Sequence, residues 1–244
     1  MLRHQLTTRR VIILLGLAGF IGIGALGLRE MVNSSTFQLF GDYVARVETQ
    51  DRVVALTFDD GPDPWHTPRV LAVLDEHRVK ATFFLMGRNI ERFPDVAREV
   101  VRRGHEIGNH SYSHPRLVWM SPQRVRDEIE RTDRLLREIG VSGEINFRPP
   151  HAAKFIVLPC VLVQMKKLSV LGDVDPEEWK QRPASVMTES ILRQVRPGSI
   201  IGLHDPMGAE TLRTLRNILP ALAAQGYRFE TVSALVRRRA PARR

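Results

Sequence analysis

After about residue 50, short apolar stretches alternate with longer segments whose apolar positions recur at helical spacing. Val53–Phe58, Thr82–Leu85, Glu106–Gly108, Ile145–Phe147, Ser169–Gly172, Ser199–Leu203 and Tyr227–Glu230 read as strands. Between them Pro68–His77, Pro94–Arg103, Pro122–Ile139, Phe155–Lys167, Ala184–Val195 and Ala209–Ala224 read as helices. Val125, Ile129, Leu135, Leu136 and Ile139 show the three-and-four spacing of one buried helix face. Pro68, Pro94 and Pro122 fall at helix starts, where a missing N–H costs little. Such alternation predicts parallel β/α units joined by crossover helices. Seven strands in so short a stretch predict a distorted, smaller-than-eightfold (β/α) barrel, with a doubly wound open sheet as the alternative. In both, strand C-termini share one face.

The pattern before residue 50 differs. Arg3, His4, Arg9 and Arg10 precede an uncharged apolar run, Val11 to Leu28. Eighteen helical residues reach roughly 27 Å, close to the hydrocarbon thickness of a bilayer. The run therefore predicts one N-terminal transmembrane helix acting as a signal-anchor. The basic flank keeps the N-terminus cytoplasmic and sends the remainder to the periplasmic or extracellular side. Secretion after cleavage near Ala25-Leu26-Gly27 is the alternative. The expected organisation is a basic flank and anchor over 1–30, a connector over 31–50 with a short hairpin from Phe37 to Val47, a catalytic domain over 51–236 and a basic tail over 237–244.

The chain has 244 residues, 43% of them hydrophobic, enough for one domain with a full core. Its net charge is +9, yet aromatic content is 7% and no nucleic-acid motif is present, so nucleic acid is not an expected partner. An exported basic protein meets anionic lipid or wall polymer instead. Arg237, Arg238, Arg239, Arg243 and Arg244 read as a solvated tail. Cys160 is the single cysteine, has no internal disulfide partner and is expected in a core segment, between Val157-Leu158-Pro159 and Val161-Leu162-Val163. Oligomeric state is left open.

Candidate chemistry collects at the predicted strand ends. Asp59 and Asp60 close the first strand at a Gly61-Pro62 turn. Two adjacent acids resist joint ionisation unless a cation lies between them. His110 and His114 are four apart, a spacing that on one helical turn aims both imidazoles the same way. Two His and one Asp make a three-ligand site for a divalent metal, with a position open for water. Zinc suits this set, and cobalt, nickel and iron tolerate it. Arg148 and His204 end two further strands. Each element alone is more often an ordinary turn, packed histidine or surface charge. Their recurrence at strand ends, in this order, points to metal-assisted hydrolysis.

Thr57-Phe58-Asp59-Asp60-Gly61-Pro62, His110-Ser111-Tyr112-Ser113-His114, Arg148-Pro149-Pro150 and Leu203-His204-Asp205 resemble the ordered motifs of the polysaccharide deacetylases, the NodB-homology group. The resemblance runs from about Val53 to Tyr227 and implies metal-dependent removal of acyl groups from sugars. It implies Asp60, His110 and His114 as metal ligands, Asp59 as the general base toward water and His204 as the general acid for the leaving amine. It further implies Arg148 as the residue orienting the base, and the His151 backbone N–H as an oxyanion donor. The expected substrate is an N-acetylated polysaccharide or oligosaccharide: peptidoglycan, a chitin-like chain or another envelope glycan.

Three positions depart from the family pattern. His151 and Ala152 stand where an aromatic residue and Gly are usual, and Gly172 replaces a bulky wall residue. Glu178 stands where an Asp partners the acid; Asp173, retained at a strand end, is expected to take that part. These departures raise two further readings, a deformylase or O-deacetylase of another aminosugar and a catalytically weakened glycan-binding protein.

Overall fold

The computed structural model describes residues 19, 20 and 22–239. Residues 22–32 are helical. Of the predicted anchor, 11–18 and 21 lie outside the described residues, as do the basic flank and 240–244. Among the described residues no helix is long and apolar enough to cross a membrane.

Strands and helices alternate as β1 (Tyr43–Val44), β2 (Val53–Asp59), α1 (Thr67–Glu76), β3 (Thr82–Leu85), α2 (Gly87–Arg92), α3 (Pro94–Arg102), β4 (Glu106–Asn109) and α4 (Pro122–Glu138). There follow α5 (Val157–Gln164), β5 (Ser169–Val170), α6 (Ala184–Gln194), β6 (Ile200–His204), α7 (Ala209–Ala224), β7 (Arg228–Glu230) and α8 (Val232–Val236). The fold is α/β with a parallel sheet: β4, β3, β2 and β6 lie side by side, and β7 also pairs with β2.

Single bridges extend this sheet. Asn109 pairs with Phe147, Phe147 with Ser169 of β5, and Val174 with Ile201 of β6. Pairings thus lead from β2 through β3, β4 and Phe147 to β5, and the segment after β5 meets β6, which pairs with β2, at Val174. The predicted strand Ile145–Phe147 is reduced to the two bridges at Phe147. The predicted hairpin Phe37–Val47 is absent: Tyr43 and Val44 pair in parallel with β5 instead.

β2 shows how the residues choose their faces. Val54, Leu56 and Phe58 pack outward in a cluster with Val70, Leu71 and Leu74 of α1 and Leu215, Ile218 and Leu222 of α7. Val53 and Ala55 join Val44, Phe84, Val170 and Ile200 in a second cluster, built from five strands and Val232 and Leu235 of α8. Because strand side chains alternate, Thr57 and Asp59 share the face of Val53 and Ala55. The last inward position is therefore a carboxylate at the strand's C-terminal end. Gly108 belongs to the same design: a Cβ there would lie 2.4 Å from the Phe84 ring, so glycine lets β4 close on it.

One expectation outside the sheet fails on packing grounds. Cys160 is exposed, since α5 turns Leu158, Val161 and Leu162 to the core and leaves position 160 outside. Arg238 of the expected basic tail is exposed and bridges Glu230 at 2.6 Å and Asp51 at 2.8 Å.

Candidate metal centre and active site

Asp59, Asp60, His110, His114, Arg148, His151 and His204 line one cleft of about 640 Å³ at the C-terminal ends of the strands. Asp60 leaves β2 with φ 70°, a left-handed conformation that Asp tolerates better than most residues. The Asn89 side chain of α2 donates to its backbone carbonyl at 2.8 Å, which holds the turn.

His110 and His114 do not lie on a helix. They sit in a loop after β4 in which Ser111 and His114 take φ 63° and 61°. Glu128 of α4 organises this loop, accepting from Tyr112 N, Ser113 N and Ser113 Oγ at 2.7–2.9 Å. The Asn109 side chain accepts from Ser111 N, and Ser111 Oγ accepts from His114 N. These bonds replace the helical turn that the spacing predicts.

The loop brings the His110 and His114 Nε2 atoms to 3.4 and 3.1 Å from Asp60 Oδ1. That oxygen is buried and makes no hydrogen bond. His110 Nδ1 lies 2.8 Å from the Arg148 carbonyl, which only accepts, so Nδ1 carries the proton and Nε2 presents a lone pair. Burial alone would raise the Asp60 pKa, but the two imidazoles outweigh it and hold the carboxyl well below its usual range. Asp60 Oδ1, His110 Nε2 and His114 Nε2 converge, and the three residues form a group able to hold a divalent cation.

Asp59 lies beside this triangle, with 8% of its surface exposed. Arg148 Nη1 donates to Asp59 Oδ1 at 2.8 Å and to Thr57 Oγ1 at 2.7 Å. The remaining guanidinium donors reach the carbonyls of Val170 and Leu171, and the group stacks over the Phe84 ring at 4.3 Å. A buried charge pair so fully bonded holds the carboxylate in one orientation.

His204 ends β6, in register with Asp59 across the strand pair. Its Nδ1 lies 3.0 Å from Glu178 Oε2, which also accepts from the His204 backbone N–H. Thr211 of α7 donates to the other Glu178 oxygen at 2.6 Å. Burial disfavours the His204 charge, but the Glu178 hydrogen bond and the carboxylates of Asp59, Glu178 and Asp60 outweigh it, pushing the pKa up to about 9. Asp173 does not take this part. Its carboxylate accepts from Ser199 Oγ and Ile200 N, which ties it to the start of β6, away from His204.

His151 follows Pro149-Pro150 in a left-handed conformation, φ 56°. Its ring packs against the His114 ring, with centroids 4.4 Å apart. Burial and the neighbouring His114 and Arg116 push its pKa down. Glu128, Asn89 and Thr211 are the positioning residues that motif reading misses; Asp205, the last residue of the Leu203-His204-Asp205 motif, has no role assigned from sequence. It is 1% exposed, accepts from Thr67 Oγ1, and packs against Gly61, where a Cβ would come within 2.6 Å of it.

Known proteins share this arrangement of sequence and fold. The sequence profile of the family described as polysaccharide deacetylase matches residues 46–156. A peptidoglycan-N-acetylglucosamine deacetylase of Bacillus cereus is 36% identical over 185 residues, covering 75% of this chain and 67% of that protein. The Listeria monocytogenes peptidoglycan-N-acetylglucosamine deacetylase PgdA is 35% identical over 192 residues, covering 79% of this chain but 40% of its own longer length. A solved peptidoglycan N-acetylglucosamine deacetylase, in complex with 4-naphthalen-1-yl-N-oxidanyl-benzamide, superposes with TM-score 0.77 at 34% identity, covering 79% of this chain and 92% of that one. With the ordered motifs converging in one cleft and relatives this similar over most of its length, the chain belongs to the polysaccharide deacetylase family, as a hydrolase of amide carbon–nitrogen bonds other than peptide bonds.

Proposed function

We propose that this protein is a metal-dependent deacetylase that removes N-acetyl groups from an N-acetylated envelope glycan, peptidoglycan or a chitin-like chain. The observation that carries the reading is the buried Asp60 oxygen, free of hydrogen bonds and faced by the Nε2 atoms of His110 and His114. Asp60, His110 and His114 would hold the cation, and zinc matches their donor set. Bound there, a divalent cation polarises the acyl carbonyl and makes water a better nucleophile near neutral pH.

The chain's own residues supply the proton transfers. Asp59, oriented by Arg148, accepts the proton of the attacking water. His204, kept protonated by Glu178, donates to the nitrogen that leaves, because an amide nitrogen departs poorly as an anion. The His151 backbone N–H, held in its left-handed turn beside His114, stands as the donor to the developing oxyanion. The paired base and acid favour turnover over a binding role without hydrolysis. The ring of strands and bridges is read as the distorted, smaller-than-eightfold barrel expected from the sequence, with this machinery at its mouth.

The uncharged run Val11–Leu28 supports an N-terminal anchor with the catalytic domain on the periplasmic or extracellular side. The full chain, loaded with zinc, is expected to release acetate from N-acetylated chito-oligosaccharides or peptidoglycan fragments and to stop on chelation. Loaded protein that releases no acetate from either would overturn the reading. Protease access to the catalytic domain in intact cells tests its side of the membrane.

A further inference from the structure

The stretch read as a connector from sequence is part of the active-site wall. Asn33 and Ser35 line the cleft, although they precede the region matched by the family profile. They are fixed there by bonds to the catalytic domain. Gly172 N donates to the Ser35 carbonyl at 3.2 Å, and Arg116 donates to Asn33 Oδ1. Lys154, 2% exposed, reaches the Ser34 carbonyl and the Ala152 carbonyl, clamping this stretch to the loop that carries His151. Val32, the last residue of the N-terminal helix, is buried against Val118 and Ala153, with Phe155 packed on them. The helix is thus attached at the cleft rim.

The surface around that attachment is apolar and aromatic. Trp119 is 80% exposed and meets the Phe155 ring edge-on at 6.1 Å; Ile156 is 47% exposed. On the helix itself Phe20, Ile23 and Leu26 are 61–78% exposed, and they continue the uncharged run that begins at Val11. Arg29 and Arg116 are exposed beside them. Tryptophan next to arginine at the end of an apolar helix is the composition of a membrane–water interface, and basic side chains there attract anionic headgroups.

We propose that the cleft works against a lipid surface: Trp119, Phe155 and Ile156 rest at headgroup level beside the N-terminal helix, and the cleft, walled by Asn33 and Ser35, takes N-acetylated glycan attached to that surface. This rests on the deacetylase reading for the substrate and on the apolar run for the surface. A site so placed meets tethered chains at high local concentration and distant chains rarely.

The full chain carrying Cys160→Ser is labelled with an environment-sensitive fluorophore at Trp119→Cys or, at the other end of the strands, at Glu144→Cys. In proteoliposomes of phosphatidylcholine and phosphatidylglycerol, the label at 119 is expected to shift to the blue and be quenched by brominated lipid, and the label at 144 to stay in water. Equal water exposure of both overturns the proposal. Shielding at 119 that grows with protein concentration in lipid-free detergent assigns the surface to a second copy and overturns it too. In the kinetic arm, kcat/KM is expected to be about tenfold or more higher for lipid-tethered than for free chitotetraose. Trp119→Glu is expected to remove that advantage and leave turnover of the free oligomer unchanged; equal kcat/KM on both forms in the unsubstituted chain overturns the proposal. Lipid shielding at 119 with neither form hydrolysed would count against the deacetylase reading while upholding the surface assignment.

Discussion

The two ends of the parallel strands carry cavities of unlike size and unlike chemistry. The cavity at the N-terminal ends is the larger, about 1420 Å³ against about 640 Å³ for the cleft. Yet its half-buried carboxylates are hydrogen-bonded. Glu106 accepts from Thr82, Asn146 and Ser233 through both oxygens, and Asp133 is bonded by Lys167 and Asn109. His105 there accepts the Ala81 N–H, and burial pushes its pKa down to about 4, so it stays neutral. At the C-terminal ends the Asp60 oxygen is buried without a hydrogen bond. A buried carboxylate oxygen converging with two imidazoles, more than volume, marks the end where chemistry happens.

Exchanging one carboxylate at each end tests that contrast most directly. Asp60→Asn is expected to lower turnover by at least about 10²–10³-fold, the scale of losing one electrostatic group at developing charge. Glu106→Gln at the opposite end is expected to cost about 2–4 kcal/mol of stability, since charge-assisted hydrogen bonds become neutral ones. Its activity per folded molecule should not change. Denaturant melts and initial rates on both variants check the pair; a Glu106→Gln chain that folds normally but is inactive would break the contrast.

Asp59 and Asp60 differ more finely within the cleft. Asp59→Asn keeps the side-chain shape and is expected to lower kcat by about 10²–10⁴-fold, the range for a general base, with metal stoichiometry unchanged. Asp60→Asn is expected to lower both. Metal analysis beside single-turnover rates separates them, and metal loss from Asp59→Asn would remove the division of roles.

How much of this is legible in the sequence varies by element. The alternation in Val53–Phe58 is enough to place Asp59 on the inward face, and the Asp60 turn follows from Gly61-Pro62. The His110/His114 spacing marks the right residues for the wrong local reason, because the loop is held by Glu128, a residue on a helix with no motif of its own. α2 is not readable because Gly87 tolerates no side chain: a Cβ would meet Tyr112 and Thr132 at 2.6 Å, a tertiary constraint without a local signal. The exchange of Asp173 for Glu178 has the same origin. Both precede β6, and only the chain's path through 174–178 decides which carboxylate arrives at His204.

Glu178→Gln tests that arrival. His204 must be protonated to donate, and with Glu178 present it stays so until pH rises through about 9. Replacing the carboxylate removes a charge-assisted hydrogen bond worth about 1.5–3 kcal/mol, which is about 1–2 pH units. The alkaline limb of kcat is therefore expected to move down by that amount, and the Thr211 contact should keep the loop in place. Asp173→Asn should leave the limb where it is. A limb that moves with Asp173 and not with Glu178 would reverse the assignment.

The neighbours His204 and Asp205 have raised pKa values that act on folding in separate windows. For His204, raised from 6.5 to about 9, the stabilisation is present in full below pH 6.5 and is lost as pH rises through 9. Asp205 is a carboxyl, and burial pushes it up from 3.8 to about 7 against the Thr67 hydrogen bond. The folded state then holds a proton that the unfolded chain has released, so stability falls as pH rises from about 4 to about 7 and is flat below that window. Asp205→Asn keeps an acceptor for Thr67 and has nothing to ionise. In chelator-treated protein the slope between pH 4 and 7 is expected to flatten in this variant, while the later loss through pH 9 persists. An unchanged acidic slope would mean that Asp205 is already ionised in the fold, with its Oδ1 unpartnered.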